Sequence, residues 1–241
     1  MAPRQDERIR LLEGVRLFQG LNAAELSEVV GAAKRLERKR NATLFRQGQE
    51  ATRFFVVLDG RVRISQIAPD GHQIIARYAG SGELFGCVPL FGGDAYPGTA
   101  TAVTHCTSLS WDRSTTARLM ERYPRVAVNA LHLLGEELAQ LRGRYQELAT
   151  QRVEQRVARA LVRLVGQAGK RVEEGVLIDF PLSRQDLAEL TGTTLHTVSR
   201  ILSAWEDHEL IASGRRRVVI RRPHDLVTIA EDLGPGGHTK T

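Results

Sequence analysis

Between Ala42 and Gly86 the chain reads "ATLFRQGQEATRFFVVLDGRVRISQIAPDGHQIIARYAGSGELFG", brief β-rich runs broken by glycine. Asp59-Gly60 and Asp70-Gly71 lie eleven residues apart. Each is a hairpin signal, because both residue types accept the positive φ that tight turns demand. More strand-like sequence follows in "GTATAVTHCTSLSWD". Short strands at regular spacing leave few architectures open, and an antiparallel barrel or roll is expected. Residues 5–40 before it read as short helices, through "LLEGVRLFQGLNAAELSEVVGAAKRLE".

A short helix follows the strands, and beyond Pro124 the period changes. Leu131, Leu134, Leu138, Leu141, Tyr145 and Leu148 advance in alternating steps of three and four. Such a narrow apolar seam suits pairing with a copy of itself, which predicts a parallel homodimer. The alternative is a helix packed on its own domain. Thr150 to Arg152 is the expected hinge, and "TQRVEQRVARALVRLVGQAG" continues helical beyond it.

The stretch "TGTTLHTVSRILSAW" then sets a second helical wheel. Val198, Ile201, Leu202 and Trp205 share one side, while His196, Ser199, Arg200 and Ser203 share the other. Hydroxyls, an imidazole and a guanidinium are groups that bond base edges and phosphates. Upstream, "LSRQDLAEL" offers Ser183 as N-cap with Asp186 three residues on. Gly192 supplies a tight turn, and Thr193 or Thr194 can cap the next helix. Downstream, "LIASGRRRVVIRR" reads as a hairpin turning at Ser213-Gly214. Arg215, Arg216, Arg217, Arg221 and Arg222 flank its apolar residues. Helix pair, polar face and basic wing in this order predict double-stranded DNA as partner. The expected contacts are Thr194, His196, Ser199, Arg200, Ser203, Arg184, Arg215, Arg216 and Arg217.

The 241 residues suffice for two domains, and a net charge of +6 permits a polyanionic partner. Cys87 and Cys106 are the two cysteines, too few for a disulfide framework or a cysteine-ligated zinc site. "MAPRQDERIR" lacks the apolar core of a secretory signal, and no apolar run approaches a membrane span. A cytoplasmic protein is expected. Residues 40–112 hold neither H-x-H nor a His-to-Glu spacing suited to a metal enzyme, so no catalysis is expected. The domains expected are a β-roll with N-terminal helices over 1–123 and a dimerisation helix over 124–150. A winged helix–turn–helix follows over 151–230, then a disordered tail over 231–241.

This α+β order resembles the CRP/FNR superfamily of bacterial transcription regulators across almost the whole chain. "FRQGQEATRFFVVLDGRVRI", "GELFGCVPLFGG" and "LSRQDLAELTGTTLHTVSRIL" carry the likeness. It implies a cyclic-nucleotide-binding-like antiparallel β-roll and a homodimer on an inverted repeat of the TTG…CAA type. RNA polymerase is a further partner the resemblance implies. Arg200 takes the place of the family's guanine-reading arginine, and Ser199 matches the FNR-like E-x-x-S-R pattern. His196 replaces the Glu of that pattern, so one base should be read differently, since imidazole can donate as well as accept.

The cyclic-AMP branch uses Gly-Glu…Arg-Ser. Here Gly86 is followed by Cys87, and Pro97-Gly98 occupy the Arg-Ser place. No Lys or Arg occurs from Tyr78 to Asp112, so a buried phosphate would go uncompensated and cyclic AMP is not expected. Clustered N-terminal cysteines are missing, which excludes the four-cysteine iron–sulfur cluster of the FNR branch. "PLFGGDAYPGTATAV" and "TLHTVSR" resemble the nitric-oxide-responsive NnrR/DNR regulators, which implies heme as cofactor and control of nitrogen-oxide or redox genes. Gly86, Cys87, Phe91, Tyr96 and Thr99 form the expected effector pocket. His72, His105 and His132, with Cys87 and Cys106, are the candidate iron ligands. Thiol oxidation and effector-independent control are the alternatives.

Overall fold

The computed structural model describes residues 5–232. The expected disordered tail falls almost wholly outside them. The described chain forms two compact units, with the boundary at Arg142–Gly143.

The first unit opens with helices α1 (Gln5–Glu13) and α2 (Ala23–Gly31). Asn22 and Glu25 close α2 with a reciprocal capping box. Eight strands follow: β1 (Lys34–Arg38), β2 (Thr43–Phe45), β3 (Arg53–Asp59), β4 (Val62–Ile67), β5 (Gln73–Ala79), β6 (Leu84–Phe85), β7 (Thr99–Ala102) and β8 (Cys106–Asp112). They pair antiparallel in two sheets, ordered β1-β8-β3-β6 and β2-β7-β4-β5. The β-roll expected from the sequence is thus present.

Two local expectations change. Residues 34–38 are strand β1 rather than helix. Asp70-Gly71 does close a hairpin, between β4 and β5, but Asp59-Gly60 does not. It carries the chain from one sheet to the other, with β3 already paired on both sides by β8 and β6. Gly60 has φ +87, and a Cβ there would stand 2.1 Å from the His105 carbonyl oxygen. Glycine is therefore needed here for close approach, in a sequence context that it shares with hairpin turns.

Strand β3 explains how one sheet serves two cores. Phe54, Val56 and Leu58 face a cluster with Trp111 and the helices, while Phe55 and Val57 face the roll interior. Trp111 stacks on Phe54 at 4.9 Å and donates its indole N–H to the Val29 carbonyl at 2.8 Å. Its polar atom is thereby satisfied where it is fully buried. Asp112 ends β8 and caps α3 (Arg113–Arg122), accepting from the Thr115 N–H at 2.9 Å.

Helix α4 (Pro124–Thr150) runs across the boundary between the units. The sequence places the change of domain at Thr150–Arg152, where the helix does break before α5 (Val153–Ala168). Packing places it earlier, at Arg142–Gly143, because Glu147 and Leu148 already pack within the second unit. Glu147 pairs with Arg163 at 2.9 Å. The seam residues Leu131, Leu134, Leu138, Leu141, Tyr145 and Leu148 are 43–75% exposed.

The second unit adds a hairpin that the sequence does not announce, β9 (Gly169–Val172) with β10 (Gly175–Ile178). Helices α6 (Arg184–Thr191) and α7 (Leu195–Asp207), strands β11 (Ile211–Gly214) and β12 (Arg217–Ile220), and helix α8 (Pro223–Glu231) complete it. Its sheet runs β11-β12-β10-β9. The wing turns at Arg215-Arg216 rather than Ser213-Gly214, since Gly214 pairs with Arg217.

Candidate nucleic-acid interface

The caps of α6 and α7 set the geometry of the reading motif. The Ser183 N–H donates to the Asp186 carboxylate at 2.8 Å, and the Asp186 N–H donates to Ser183 Oγ at 3.0 Å. Gly192 ends α6 in the left-handed region, φ +62. Thr194, rather than Thr193, caps α7 by accepting from the Thr197 N–H at 3.1 Å. A Cβ on Gly192 would come 3.3 Å from Leu148 Cδ2, so the last turn of α4 lies against this turn. Arg156 fixes it from the other side, donating to the carbonyls of Thr191 and Gln151, each at 3.1 Å.

Val198, Ile201, Leu202 and Trp205 are buried, and the Trp205 indole N–H donates to Glu154 at 3.0 Å. Burying these four side chains contributes about 2 kcal/mol each and fixes the helix rotation. His196, Arg200 and Ser203 consequently stand exposed on the opposite face, with Ser199 partly exposed beside them. The described residues place no acid against Arg200. Its guanidinium is free to make a bidentate contact with guanine.

The other predicted contacts fall into two groups. Arg215 and Arg216 are exposed at the wing tip, where Arg216 takes φ +62. Arg184, Arg217 and Thr194 are already engaged. Arg184 bonds Glu206 and Ser213 Oγ, both at 3.2 Å. Arg217 lies 3.4 Å from Glu174, and Arg222, which flanks the wing, lies 3.1 Å from Asp225. Phosphate contacts by these arginines require exchange of an existing partner. The acids responsible are distant in sequence, apart from Asp225, so no local pattern announces them.

The expected effector residues do not all converge: Gly86 and Tyr96 both border Phe45, while Phe91 lies elsewhere. Gly86, at φ +65, presses against the rings of Phe45 and Phe55. Phe91 packs on the helix-side cluster, whereas Tyr96 lies in the roll interior. Thr99 Oγ1 accepts from the Gln47 N–H at 3.0 Å. Phe45, Phe55, Phe85 and Tyr96 fill the interior, with Phe45 and Tyr96 centroids 3.7 Å apart. The cation brought to Cys87 is Arg77 of β5, and its guanidinium donates to the Leu84 carbonyl.

These residues do not fit a heme. His72 is 83% exposed on the β4–β5 loop, 3.0 Å from Asp70. His105 and His132 are exposed. Burial pushes the Cys87 thiol up to about 12, an effect that Arg77 only partly offsets. It pushes Cys106 up to about 11. Thiols held protonated are poor iron ligands and poor redox sensors. Among the described residues, no three His, Cys, Asp or Glu side chains gather where they could hold a metal ion.

Comparison with known proteins agrees with the two-unit architecture. Residues 35–123 match the model of the cyclic nucleotide-binding domain, and residues 155–229 match that of the Crp-like helix-turn-helix domain. The nitrogen fixation regulation protein FixK of Bradyrhizobium diazoefficiens is 30% identical over 196 residues, covering 80% of each chain. The cyclic AMP receptor protein of Thermus thermophilus is 29% identical over 222 residues, covering 92% of this chain and all of the relative. The structure of FixK2 from Bradyrhizobium japonicum superposes with a TM-score of 0.72 at 24% identity, covering 82% of this chain and 96% of that one. Among the described residues, no helix is long and apolar enough to cross a membrane.

Proposed function

Because the chain belongs to the CRP/FNR family of DNA-binding transcription regulators, we propose that it acts as a parallel homodimer on an inverted repeat with a TTG…CAA-like core. The observation that carries this reading is the exposed polar face of α7, with Arg200 unpaired at its centre. Arg200 reads guanine, Ser199 and His196 read or position the neighbouring bases, and Arg215 and Arg216 meet the backbone. The exposed α4 seam supplies the dimer contact that sets two reading helices about one helical turn apart on DNA.

We propose control of nitrogen-oxide or redox-related genes on the sequence likeness to NnrR/DNR regulators alone; FixK, the relative of 30% identity, is a nitrogen fixation regulation protein. The exposed histidines speak against heme in this reading, and the raised thiols of Cys87 and Cys106 against oxidative control.

Selection of binding sites from a random duplex pool tests the reading. The wild-type chain is expected to enrich a palindrome with TTG and CAA half-sites. Arg200→Ala is expected to lose the G preference, weakening specific binding about tenfold to a hundredfold, while remaining dimeric by sedimentation. Enrichment of the same palindrome by that variant would overturn the assignment.

A further inference from the structure

Strand β1 breaks the alternation expected of a sheet that covers a core. Lys34, Leu36 and Arg38 share one face. The register aligns Lys34 with Ser110, and Ser110 with Phe55, so this face looks into the roll. Arg53, two residues before Phe55, joins it. The three cations surround a cavity of 340 Å³ whose apolar wall includes Phe45, Phe55 and Tyr96. Among the described residues, no carboxylate lines it.

Little in the fold compensates these charges. No described acid pairs with Lys34. Arg38 donates to the Glu37 carbonyl at 3.0 Å. Arg53 donates to Ser110 Oγ at 3.3 Å and lies 3.8 Å from Asp112. Three like charges at the mouth of one pocket repel each other, and an anion seated among them relieves that repulsion. The two guanidinium groups suit the flat, two-oxygen geometry of a carboxylate or phosphate.

The wall limits the rest of the ligand. Tyr96 commits its hydroxyl to the backbone of Arg53, accepting from the N–H at 3.1 Å and donating to the carbonyl at 2.6 Å. Gln49 Oε1 already accepts from the Arg46 N–H at 3.1 Å. Few free hydrogen-bonding groups remain for a sugar, whereas aromatic carbon is abundant. The volume lies near the lower end of the roughly 300–1,000 Å³ typical of small-molecule sites. We infer that this pocket between β1, β2 and β3 binds a small aromatic organic anion, a single ring bearing a carboxylate or phosphate.

The test is calorimetric titration of the full chain with benzoate, phenyl phosphate, inorganic phosphate and benzyl alcohol. At least one aryl anion is expected to bind saturably, one per chain, and about tenfold or more tighter than inorganic phosphate or the neutral alcohol. The preferred member of the pair identifies the anionic group. Lys34→Ala with Arg38→Ala is expected to weaken that binding about tenfold or more, with a melting temperature no lower than that of the wild type. Arg200→Ala is expected to bind the ligand as the wild type does. Three results would each overturn the inference: no saturable binding of either aryl anion, equal binding of inorganic phosphate, or undiminished affinity in the double variant. Loss of binding in Arg200→Ala would also overturn it, by placing the anion on the DNA face.

Discussion

Arg184, Arg200, Arg215 and Arg217 are all expected DNA contacts from the sequence, yet only two of these four are unpaired. Arg184 is held by Glu206, which lies 22 residues away, and Arg217 by Glu174, 43 residues away. Partners this remote in sequence are set by tertiary packing, which local reading does not reach. The cysteines make the same point in reverse. Their sequence neighbourhood leaves redox sensing open, while burial raises Cys87 to about 12 and Cys106 to about 11. Native protein at pH 8 is therefore expected to react negligibly with a disulfide reagent, and both thiols to titrate once the chain is denatured. Prompt reaction of either native thiol would restore oxidation as a control mechanism.

At the scale of single elements, caps and seams carry the testable content. Asp112 is held down to about 2, first by the Thr115 backbone N–H, then by the Thr115 and Ser114 side chains. Its stabilising contribution is fully present above its unfolded value, about 3.9, and is lost as pH falls through about 2. Asp112→Ala is expected to lower stability about 1 kcal/mol at pH 7 and to flatten the loss of stability between pH 4 and 2, read by urea denaturation. Replacing Leu134 and Leu138 with polar residues is expected to yield monomers by sedimentation, and dimers that persist would refute the seam. Such features are legible in the sequence because they are local: Ser183 with Asp186, Gly192, Thr194 and the α7 wheel each act over a few residues. Asp59-Gly60 misleads because its local chemistry is that of a turn, while the strands it joins pair elsewhere. A helical reading of Lys34–Arg38 hides the cation face of β1, since alternation shows only once the segment is known to be a strand.

For the whole molecule, binding to DNA sums a sequence-blind term and a sequence-reading one. In the proposed complex the wing tip belongs to the first. Arg216→Gly removes a charge while suiting the positive φ of that position. Combined with Arg215→Ala, it is expected to weaken binding to all duplexes alike. The plot of log affinity against log salt should flatten by about 0.9 for each phosphate that is no longer neutralised. An unchanged slope would mean that the wing stays clear of the backbone. Leu148 links the two terms to the seam. It ends the exposed apolar row of α4, and its Cδ2 also lies where a side chain at Gly192 would begin. A side chain at 192 would meet two obstacles, a left-handed backbone and a leucine methyl that must yield by a few tenths of an ångström. Trimming residue 148 lifts only the second of them, so the turn that aims the reading helix should keep its glycine whatever the end of the apolar row becomes.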